Sequence, residues 1–488
     1  MSFNEIVSAV SDFVWSPALI VVCLGAGLLF SILTKFVQVR RFGEMVRLLF
    51  SKDKTHKSGG ISSFQAFAMA LSGRVGTGNI VGVATAIAFG GPGAIFWMWV
   101  IAFFGAGSAF VESTLAQIYK VKIEGELRGG PSYYIHKGLK SKWLAVIFAI
   151  CAIIACGFFL PSVQSNGVAI AFYNAMNIKP IYIGVALSFL LSCVIIGGVK
   201  RIANVARIVA PFMAIAYLAL ALIIVFCNIG KLPEVFSLIF SAAFGTHQVY
   251  GAILGTTIMW GVKRGIFSNE AGQGTGPIVA AAAKVSHPAK QGLVQAFSVY
   301  VDTLLVCTAT AVMILSTGMY NVFDSEGNVI MMNAPNIADQ SVSFTQSAIE
   351  TIMPGTGNLF VAISLSLFVF TTLMAYYYYA ETSIVFLTRK KSYRKLAINI
   401  LRLMTMFAVC FGAVKETALA WQLGDIGVGM MAWINIISIL ILFPTAIRTL
   451  KDYESQKKMG IEPEFNPDKL NIKNADYWHE KNKNVNNL

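Results

Sequence analysis

Two stretches of the sequence place glycine beside polar or ionisable residues inside segments that are otherwise strongly apolar. GRVGTGNIVG at 73–82 holds four glycines and Arg74, and GVKRGIFSNEAGQGTGPIVAAAAK at 261–284 holds Asn269 and Glu270 among its glycines. Glycine weakens a helix by about 1 kcal/mol per residue. A helix unwound there would offer free carbonyls to a cation and free N–H groups to a carboxylate. Because unwound backbone inside a membrane must line a polar cavity, the two stretches predict a binding site.

Other interpretations of these stretches explain less. Close helix packing through small residues would account for a lone glycine pair, but not for polar groups that accompany the glycines twice. An enzyme would need a nucleophile–base pair, a metal-ligand cluster or a cofactor motif, and the five histidines have no ligand spacing. GTGNIVG also lacks the strand and the GK[ST] lysine of a phosphate-binding loop. Broken helices line channels as well, but a channel would not need two asymmetric clefts of substrate size with a carboxylate end and a cation end. The sequence therefore predicts a carrier and no enzyme.

Membrane-spanning helices must hold these stretches. Of the 488 residues, 56% are hydrophobic and 13% are charged, about half the charged fraction of a soluble chain. Apolar runs of about 18 residues or more recur along the chain and predict an all-α polytopic membrane protein. The seven cysteines form no metal-binding or disulfide pattern. About eleven spans are predicted, at 16–35, 64–88, 93–119, 143–172, 180–198, 205–228, 251–283, 290–316, 356–387, 395–414 and 425–447.

Basic residues lie almost entirely on one predicted side of the membrane. With the N-terminus outside, 32 of the 38 Lys and Arg residues fall in cytoplasmic loops and the tail. The positive-inside rule therefore predicts a multi-pass plasma-membrane protein with a cytoplasmic C-terminus. The net charge of +14 is then an insertion signal, so the expected partner is the lipid bilayer and not nucleic acid. The polar residues 451–488 predict a solvated, partly disordered tail, and the oligomeric state stays open.

The two glycine-rich spans occupy matching places in two halves of the chain. Without the first span, ten spans remain in two groups of five, each opening with a glycine-rich span. Because five is odd, the second group begins on the opposite side of the membrane, which predicts an inverted repeat suited to alternating access. The predicted units are an extra N-terminal helix with a basic cytoplasmic loop (1–60), two five-helix repeats (61–230 and 231–450) and a polar cytoplasmic tail (451–488).

Three motifs resemble a known family. SGRVGTGNIVGVATAIAFGGPGAIFWMW at 72–99, GIFSNEAGQGTGPIVAAAAK at 265–284 and FFLPSVQSN at 158–166 are similar to stretches of the alanine or glycine:cation symporter family. The resemblance covers residues 15–450 and implies a leucine-transporter-like 5+5 inverted repeat with one added helix. It also implies symport of sodium with a small neutral amino acid. Alanine, glycine and D-alanine are the candidates, and a glutamine-preferring or proton-coupled symporter of the same fold is the alternative.

The resemblance also implies residue roles, because RVGTGN aligns with the fold's first helix break. The sodium ligands would be the carbonyls of Ser72 and Val75 and the hydroxyls of Thr371 and Thr372, although a threonine hydroxyl in a helix often bonds only its own preceding turn. Gln164 is either a pocket residue or one partner of an interhelical hydrogen bond. The full set of expected substrate-binding residues is Gly76, Thr77, Gly78, Asn79, Gln164, Ser268, Asn269, Gly274 and Gly276.

The ionisable residues within the spans need partners. Arg74 is expected to form an ion pair with Glu270 or Glu112 that acts as a gate, and Asp302 lies in a span with no assigned role. The tyrosine run 376–379 is expected to lie at the membrane interface.

Overall fold

The computed structural model describes residues 3–51, 60–247, 249–250, 253–324, 327–337, 341–389 and 392–486. Within these ranges the chain is mostly helical, and eight helical segments are long and apolar enough to cross a membrane. Two shorter apolar segments, Gly78–Gly90 and Pro180–Ile195, are further candidates. These helices confirm a polytopic all-α membrane protein, and the number of eleven spans stays a prediction.

The helices follow one another with short connections. In the first half they are α1 Phe3–Val14, α2 Pro17–Leu33, α3 Val37–Arg40, α4 Phe42–Phe50, α5 Ser63–Arg74, α6 Val83–Gly90, α7 Ala94–Ile118, α8 Pro131–Gly138, α9 Lys142–Ile154, α10 Leu160–Met176, α11 Pro180–Ile195 and α12 Gly198–Cys227. In the second half they are α13 Leu232–Ala243, α14 Leu254–Asn269, α15 Gly276–Ala282, α16 Pro288–Val299, α17 Thr308–Thr317, α18 Val342–Glu350, α19 Gly357–Leu387, α20 Arg394–Val414, α21 Thr417–Lys458 and α22 Asp476–Asn486.

Smaller elements complete the chain. Antiparallel pairs join β1 (Val121–Ile123) to β2 (Glu126–Arg128) and β3 (Asn321–Phe323) to β4 (Val329–Met332). A short 3₁₀ turn spans Ile229–Lys231. Segments of π-helix, a form that is frequent at functional sites, lie at Gly78–Gly82, Ala155–Phe159 and Tyr300–Cys307. The segments Ala155–Phe159 and Tyr300–Cys307 directly continue helices α9 and α16.

Both glycine-rich stretches interrupt a helix, as the sequence predicts. Helix α5 starts at a capping box, in which Ser62 and Gln65 satisfy each other's backbone N–H groups. It ends at Arg74, because Val75 has extended backbone with φ −78° and ψ 94°. Helix α14 ends where Glu270 adopts a left-handed conformation with φ +56°, which few residues other than glycine tolerate. The chain then turns through residues 271–275 before α15 begins.

The helices pack in two groups. In the first group, α7 packs on α14, α15 and α16, and α5 packs on α15 and α16. Helices α9, α10, α11, α19 and α20 form the second group, with α10 packed on both α19 and α20. Each group therefore combines helices from both halves of the chain, and α12 and α21 contact helices of both groups. Helix α5 also packs against α19, so the two groups meet at the first break.

The tail differs from the expectation of partial disorder. Residues 459–475 run across the ends of the helices, and α22 follows. Phe465, Ile472, Ala475 and Trp478 are buried there, with Trp478 fully inaccessible to solvent. The polar composition of the tail concealed these few apolar anchors, which are spaced too widely to form a recognisable pattern.

Candidate functional site

Backbone N–H groups of the first break are bonded by side-chain oxygens. The Thr77 N–H donates to Gln164 Oε1 at 3.0 Å, and the Gly76 N–H donates to Asn79 Oδ1 at 2.9 Å. Gln164 lies on α10, so this bond joins the two helix groups. All four residues are buried. The structure thus brings together Gly76, Thr77, Asn79 and Gln164, as predicted for one site, and Gln164 makes an interhelical bond directly to the break.

Two glycines of the first break face other elements at close range. A Cβ at Gly76 would lie 2.7 Å from Gln164 Oε1 and 2.7 Å from Thr372 Oγ1. A Cβ at Gly78 would lie 3.1 Å from the Cα atom of Ser268. At Gly82 the nearest atom would be 3.8 Å away, which is ordinary van der Waals distance. Gly76 and Gly78 are therefore required for close approach, whereas Gly82 is not.

Five oxygen atoms cluster on the other side of the first break. Thr372 Oγ1 lies 2.8 Å from the Ser72 carbonyl and 3.1 Å from the Val75 carbonyl. The hydroxyls of Thr371 and Thr372 both donate to the Phe368 carbonyl at 2.9 Å. Thr371 reaches neither Ser72 nor Val75 with a hydrogen bond in the described part of the chain. The Phe368 carbonyl is the member of this cluster that the sequence did not reveal, since a helix carbonyl carries no side-chain signal.

A buried aspartate joins the two breaks. Asp302, in the π-helical segment after α16, accepts from Asn79 Nδ2 at 2.7 Å and from Ser268 Oγ at 2.9 Å. The Thr303 hydroxyl donates to the same carboxylate at 2.7 Å. The Cys307 thiol also contacts Ser268, at 3.2 Å. A position within an apolar span was the one signal that marked Asp302, and the structure shows that it orients Asn79 and Ser268.

Three predicted pocket residues of the second break have other contacts. The Asn269 side chain accepts from the Ala271 N–H at 3.0 Å, a local turn contact. A Cβ at Gly274 would lie 2.7 Å from Pro131 Cγ, on α8, and one at Gly276 would lie 2.7 Å from an Arg74 nitrogen. These glycines are thus needed for packing against α8 and Arg74. Among the described residues, none of the three makes a hydrogen bond to Thr77 or Gln164.

The expected ion pair of Arg74 is absent from the described part of the chain. Its guanidinium donates to the Asn269 carbonyl at 2.6 Å and to the Ser298 hydroxyl. The hydrogen bonds therefore tie α5 to α14 and α16, and no carboxylate lies within 4.0 Å of Arg74 among the described residues. A direct pair with Glu270 or Glu112 is therefore not formed among the described residues, since the end of α14 supplies a carbonyl where a carboxylate was expected.

The two carboxylates expected beside Arg74 have separate partners. Glu112 accepts from Asn435 Nδ2 at 2.8 Å and from the Gly272 N–H at 3.3 Å. Glu270 accepts from the Tyr379 hydroxyl at 3.3 Å. Both carboxylates are fully buried. They hold the turn of the second break against α7, α19 and α21.

The tyrosine run 376–379 lies inside the protein and not at the membrane interface. All four side chains are at most 2% exposed. A Cβ at Gly73 would clash with the Tyr379 hydroxyl, which shows how closely α19 approaches α5. The expectation of an interfacial belt is wrong, because α19 is surrounded by helices on every side at this level.

A buried ion pair lies beyond the breaks, toward the N-terminal end of α14. Arg264 donates to Asp425 through two nitrogens at 2.8 Å and 3.3 Å, and Lys263 lies 2.8 Å from the same carboxylate. The guanidinium stacks over the Trp421 ring at 4.3 Å, and Trp421 packs on Phe267 with centroids 4.9 Å apart. We call Arg264 and Asp425 the lid pair. With these aromatic rings it covers one end of the site.

These features define the class of protein. Two unwound helices lie side by side at the interface of two helix groups, and solved transporters have the same fold. The structure of MhsT with L-phenylalanine matches with a TM-score of 0.55 and 13% identity, covering 81% of this chain and 99% of that one. A Na⁺-coupled sialic acid symporter matches with a TM-score of 0.52 and 11% identity, covering 88% of each chain. The chain therefore has the predicted leucine-transporter-like fold of secondary transporters.

The particular family follows from comparison of sequences. The model of the sodium:alanine symporter family matches residues 1–467, and the chain belongs to this family. It is thus a transporter and not an enzyme, as predicted.

Three relatives cover almost the whole chain. Bacillus subtilis YrbD, whose name describes a suggested sodium/proton-dependent alanine carrier, is 56% identical over 97% of each chain. The sodium/proton-dependent alanine carrier protein of Bacillus sp. (strain PS3) is 48% identical over 89% of this chain and 97% of that one. The probable sodium/glutamine symporter GlnT of Bacillus subtilis is 43% identical over 97% and 95%. The two Bacillus relatives named as alanine carriers are thus more similar to this chain than GlnT is.

Proposed function

We propose that this protein is a symporter that carries alanine across the membrane together with sodium, by alternating access. The observation that carries the proposal is the oxygen cluster at the first break. There the Thr372 hydroxyl lies within 3.1 Å of the carbonyls of Ser72, Val75 and Phe368. Sodium, like other hard cations, prefers oxygen ligands. Its binding would replace the hydrogen bonds that the two threonine hydroxyls make now.

The substrate carboxylate would bind at the N–H end of the same break. The Thr77 N–H now donates to Gln164 Oε1 at 3.0 Å, so an amide oxygen occupies the position that suits a carboxylate oxygen. The Thr77 hydroxyl is buried and has no hydrogen-bond partner among the described residues. A carboxylate placed here and a cation placed at Val75 would be close in a medium of low dielectric constant. Each would strengthen the binding of the other, which couples the two solutes.

The crowded surroundings of the first break favour a small substrate. Gly76 faces Gln164 and Thr372, and Gly78 faces Ser268, each without room for a Cβ. A side chain as short as that of alanine or glycine suits these surroundings better than that of glutamine. Both enantiomers of alanine remain candidates, because the contacts described concern the carboxylate and not the Cα substituents.

The lid pair would close one end of the pathway. Arg264 and Asp425 lie on α14 and α21 and have side chains that are each 3% exposed. A buried pair of this kind must separate before solute can pass between those two helices. Under the predicted topology this end faces outside.

Proton coupling is the second candidate, favoured by two buried carboxylates at the second break. Glu112 and Glu270 are fully buried without a cationic partner within 4.0 Å in the described part of the chain. The alanine carriers of the two Bacillus strains are also named for sodium and protons. A proton held by either carboxylate would lower the cost of burying its charge.

Uptake by the purified protein in liposomes tests both candidates. Alanine, glycine, D-alanine and glutamine would each be offered under a sodium gradient, a proton gradient or neither. We expect sodium-driven uptake of alanine that glutamine inhibits poorly. Uptake driven by a proton gradient alone would contradict sodium coupling.

The Thr372→Ala variant tests the sodium site. Loss of this hydroxyl should lower sodium affinity by about ten- to a hundredfold, as loss of one ligand to a charged group costs roughly 1.5–3 kcal/mol. Thr388→Ala is the matched control, because Thr388 caps the C-terminal end of the same helix and its hydroxyl donates to the Ile384 carbonyl of the preceding turn. Sodium dependence of alanine binding, measured for both variants, decides the assignment. Equal sodium affinities would exclude Thr372 as a ligand.

A further inference from the structure

The segment 459–482, which we call the strap, crosses the ends of the broken helices opposite to the lid pair. It follows α21 and includes the first residues of α22. Its buried side chains include Phe465, Ile472, Ala475 and Trp478, none more than 4% exposed. The exposed Lys473 lies among them. These buried side chains dock the strap against the protein, whereas Met459 and Ile461 at its start are exposed.

The strap binds the end of α7, which in turn holds the end of α15. Trp478 Nε1 donates to the Gln117 carbonyl at 2.8 Å. The Gln117 side chain donates to the Ala283 carbonyl at 2.9 Å, and Lys120 Nζ donates to the same carbonyl at 3.0 Å. Lys120 also lies 4.9 Å from the Trp478 ring centroid. The free carbonyls at the end of α15 are therefore bonded by residues that the strap covers.

The same place also fixes the start of α5. Ile61 forms a parallel bridge with Ala283, in which the Ile61 N–H donates to the Ala282 carbonyl at 3.3 Å and the Lys284 N–H donates to the Ile61 carbonyl at 3.0 Å. The half-helices α5 and α15, one from each broken helix, thus end in a single hydrogen-bonded unit beneath the strap.

The strap joins this unit to the start of α16. The Phe465 N–H donates to the Ser286 carbonyl at 3.1 Å, and the Ser286 hydroxyl donates to the Pro463 carbonyl at 2.7 Å. Lys290 lies 2.5 Å from Glu462. The connection between α15 and α16 is therefore held by main-chain and ionic contacts at once.

Other contacts anchor the strap outside the group that contains α7. Lys137, on α8, forms an ion pair with Asp476 at 2.7 Å, and its carbonyl accepts from Asn474 Nδ2 at 2.9 Å. On α21, Gln456 exchanges two hydrogen bonds of 2.9 Å with the backbone of Glu464. The strap therefore spans from α8 and α21 to the ends of α7, α15 and α16.

From this arrangement we propose that the strap is a latch that holds the inner ends of α5 and α15 closed and must release before the site opens on that side. The proposal rests on the proposed transport function, since only a carrier needs that opening. Those ends cannot separate from α8 and α21 while Trp478, Ser286 and Asp476 keep their contacts. Release of the strap would favour the conformation open to the side where the strap lies.

Labelling of Cys307 tests this latch. Cys307 is buried at the site, 3.2 Å from Ser268 Oγ, so a membrane-impermeant methanethiosulfonate can react with it only after the pathway opens. The other six cysteines would be replaced, and the reagent would be applied to either face of oriented vesicles. The variants are Trp478→Ala, Asp476→Asn and, as the matched control, Lys473→Ala.

We expect Trp478→Ala to speed labelling from the strap side by about tenfold. The conformation open on that side is sparsely populated while the strap is docked, and loss of the Trp478 contacts would raise its population. Asp476→Asn should give a smaller increase and Lys473→Ala none. Equal rates in all variants, or faster labelling from the opposite face, would overturn the latch. Sodium-dependent alanine binding by each variant shows that the site is intact and tests the transport function separately. If Trp478→Ala does not bind alanine, Asp476→Asn and Glu462→Gln decide by the same comparison.

Discussion

Among single residues, the glycines of the first break allow the sharpest test of the proposed substrate site. Gly76 and Gly78 lack room for a methyl group, whereas Gly82 has it. Gly76→Ala would place a Cβ 2.7 Å from Gln164 Oε1 and from Thr372 Oγ1. Overpacking of this kind costs about 1–3 kcal/mol. Gly76→Ala should therefore weaken sodium-dependent alanine binding by about tenfold or more, and Gly78→Val should weaken it further than Gly78→Ala.

Gly82→Ala is the matched control for this series. Its Cβ would meet no atom closer than 3.8 Å, and alanine is the better helix former. Binding and expression level would be measured for every variant. If Gly76→Ala binds alanine as well as Gly82→Ala does, the break has a packing role and the substrate site lies elsewhere.

The types of residue in the site could be predicted better than their contacts. Thr77, Gln164 and Thr372 are brought together at the first break, where the resemblance placed them. The orientation of Asn269 and the partner of Arg74 depended on where the second break turns, and that turn is set by the left-handed Glu270. The sequence alone does not predict the backbone angles of such a turn. The Phe368 carbonyl was equally hidden, because every residue has one.

At the scale of elements, the lid pair links α14 to α21, and its removal should slow transport more than it weakens binding. Asp425→Asn takes away the charge that Arg264 and Lys263 share, at distances of 2.8 Å each. Breaking a buried pair costs about 3–5 kcal/mol. Because the pair makes no contact with Thr77 or Thr372, we expect the maximal uptake rate to fall by at least tenfold while equilibrium alanine binding changes little.

Lys263→Gln is the control for the lid pair, since it keeps the contacts between Arg264 and Asp425. Uptake rates and equilibrium binding would be measured for both variants in the same liposomes. A normal uptake rate in Asp425→Asn would show that the pair does not move during transport. A parallel loss of binding would instead place Asp425 in support of the site itself.

The elements themselves were largely predictable, and the exceptions share a physical cause. Both helix interruptions follow from glycine beside polar residues in apolar spans, and the structure has them where they were expected. Hydropathy, however, cannot distinguish a helix that faces lipid from one enclosed by protein. The tyrosine run 376–379 on α19 was placed at the interface for that reason. The strap escaped notice because a few buried apolar side chains in a polar segment change its composition little.

For the molecule as a whole, two independent observations bear on its orientation in the membrane: the positions of the lid pair and the strap, and the distribution of basic residues. The lid pair and the strap lie at opposite ends of the broken helices, which the structure establishes without reference to a membrane. The distribution of Lys and Arg, with 32 of 38 on one predicted side, predicts that the strap end faces the cytoplasm. The strap itself contributes to that basic side. In that orientation, the latch would control opening of the site toward the cell interior, and the lid pair would control opening toward the exterior.

Reporter fusions at two positions test this orientation. A reporter joined after residue 475 should be active only in its cytoplasmic form, and one inserted near residue 230, in the connection after α12, should be active only in its external form. The reason is that insertion retains clusters of Lys and Arg on the cytoplasmic side, and the loop at 230 holds only Lys231. Because a fusion at 475 removes Trp478, a second one placed after residue 488 keeps the strap intact. An external reporter at both C-terminal positions would reverse the orientation and would place the latch on the outer face.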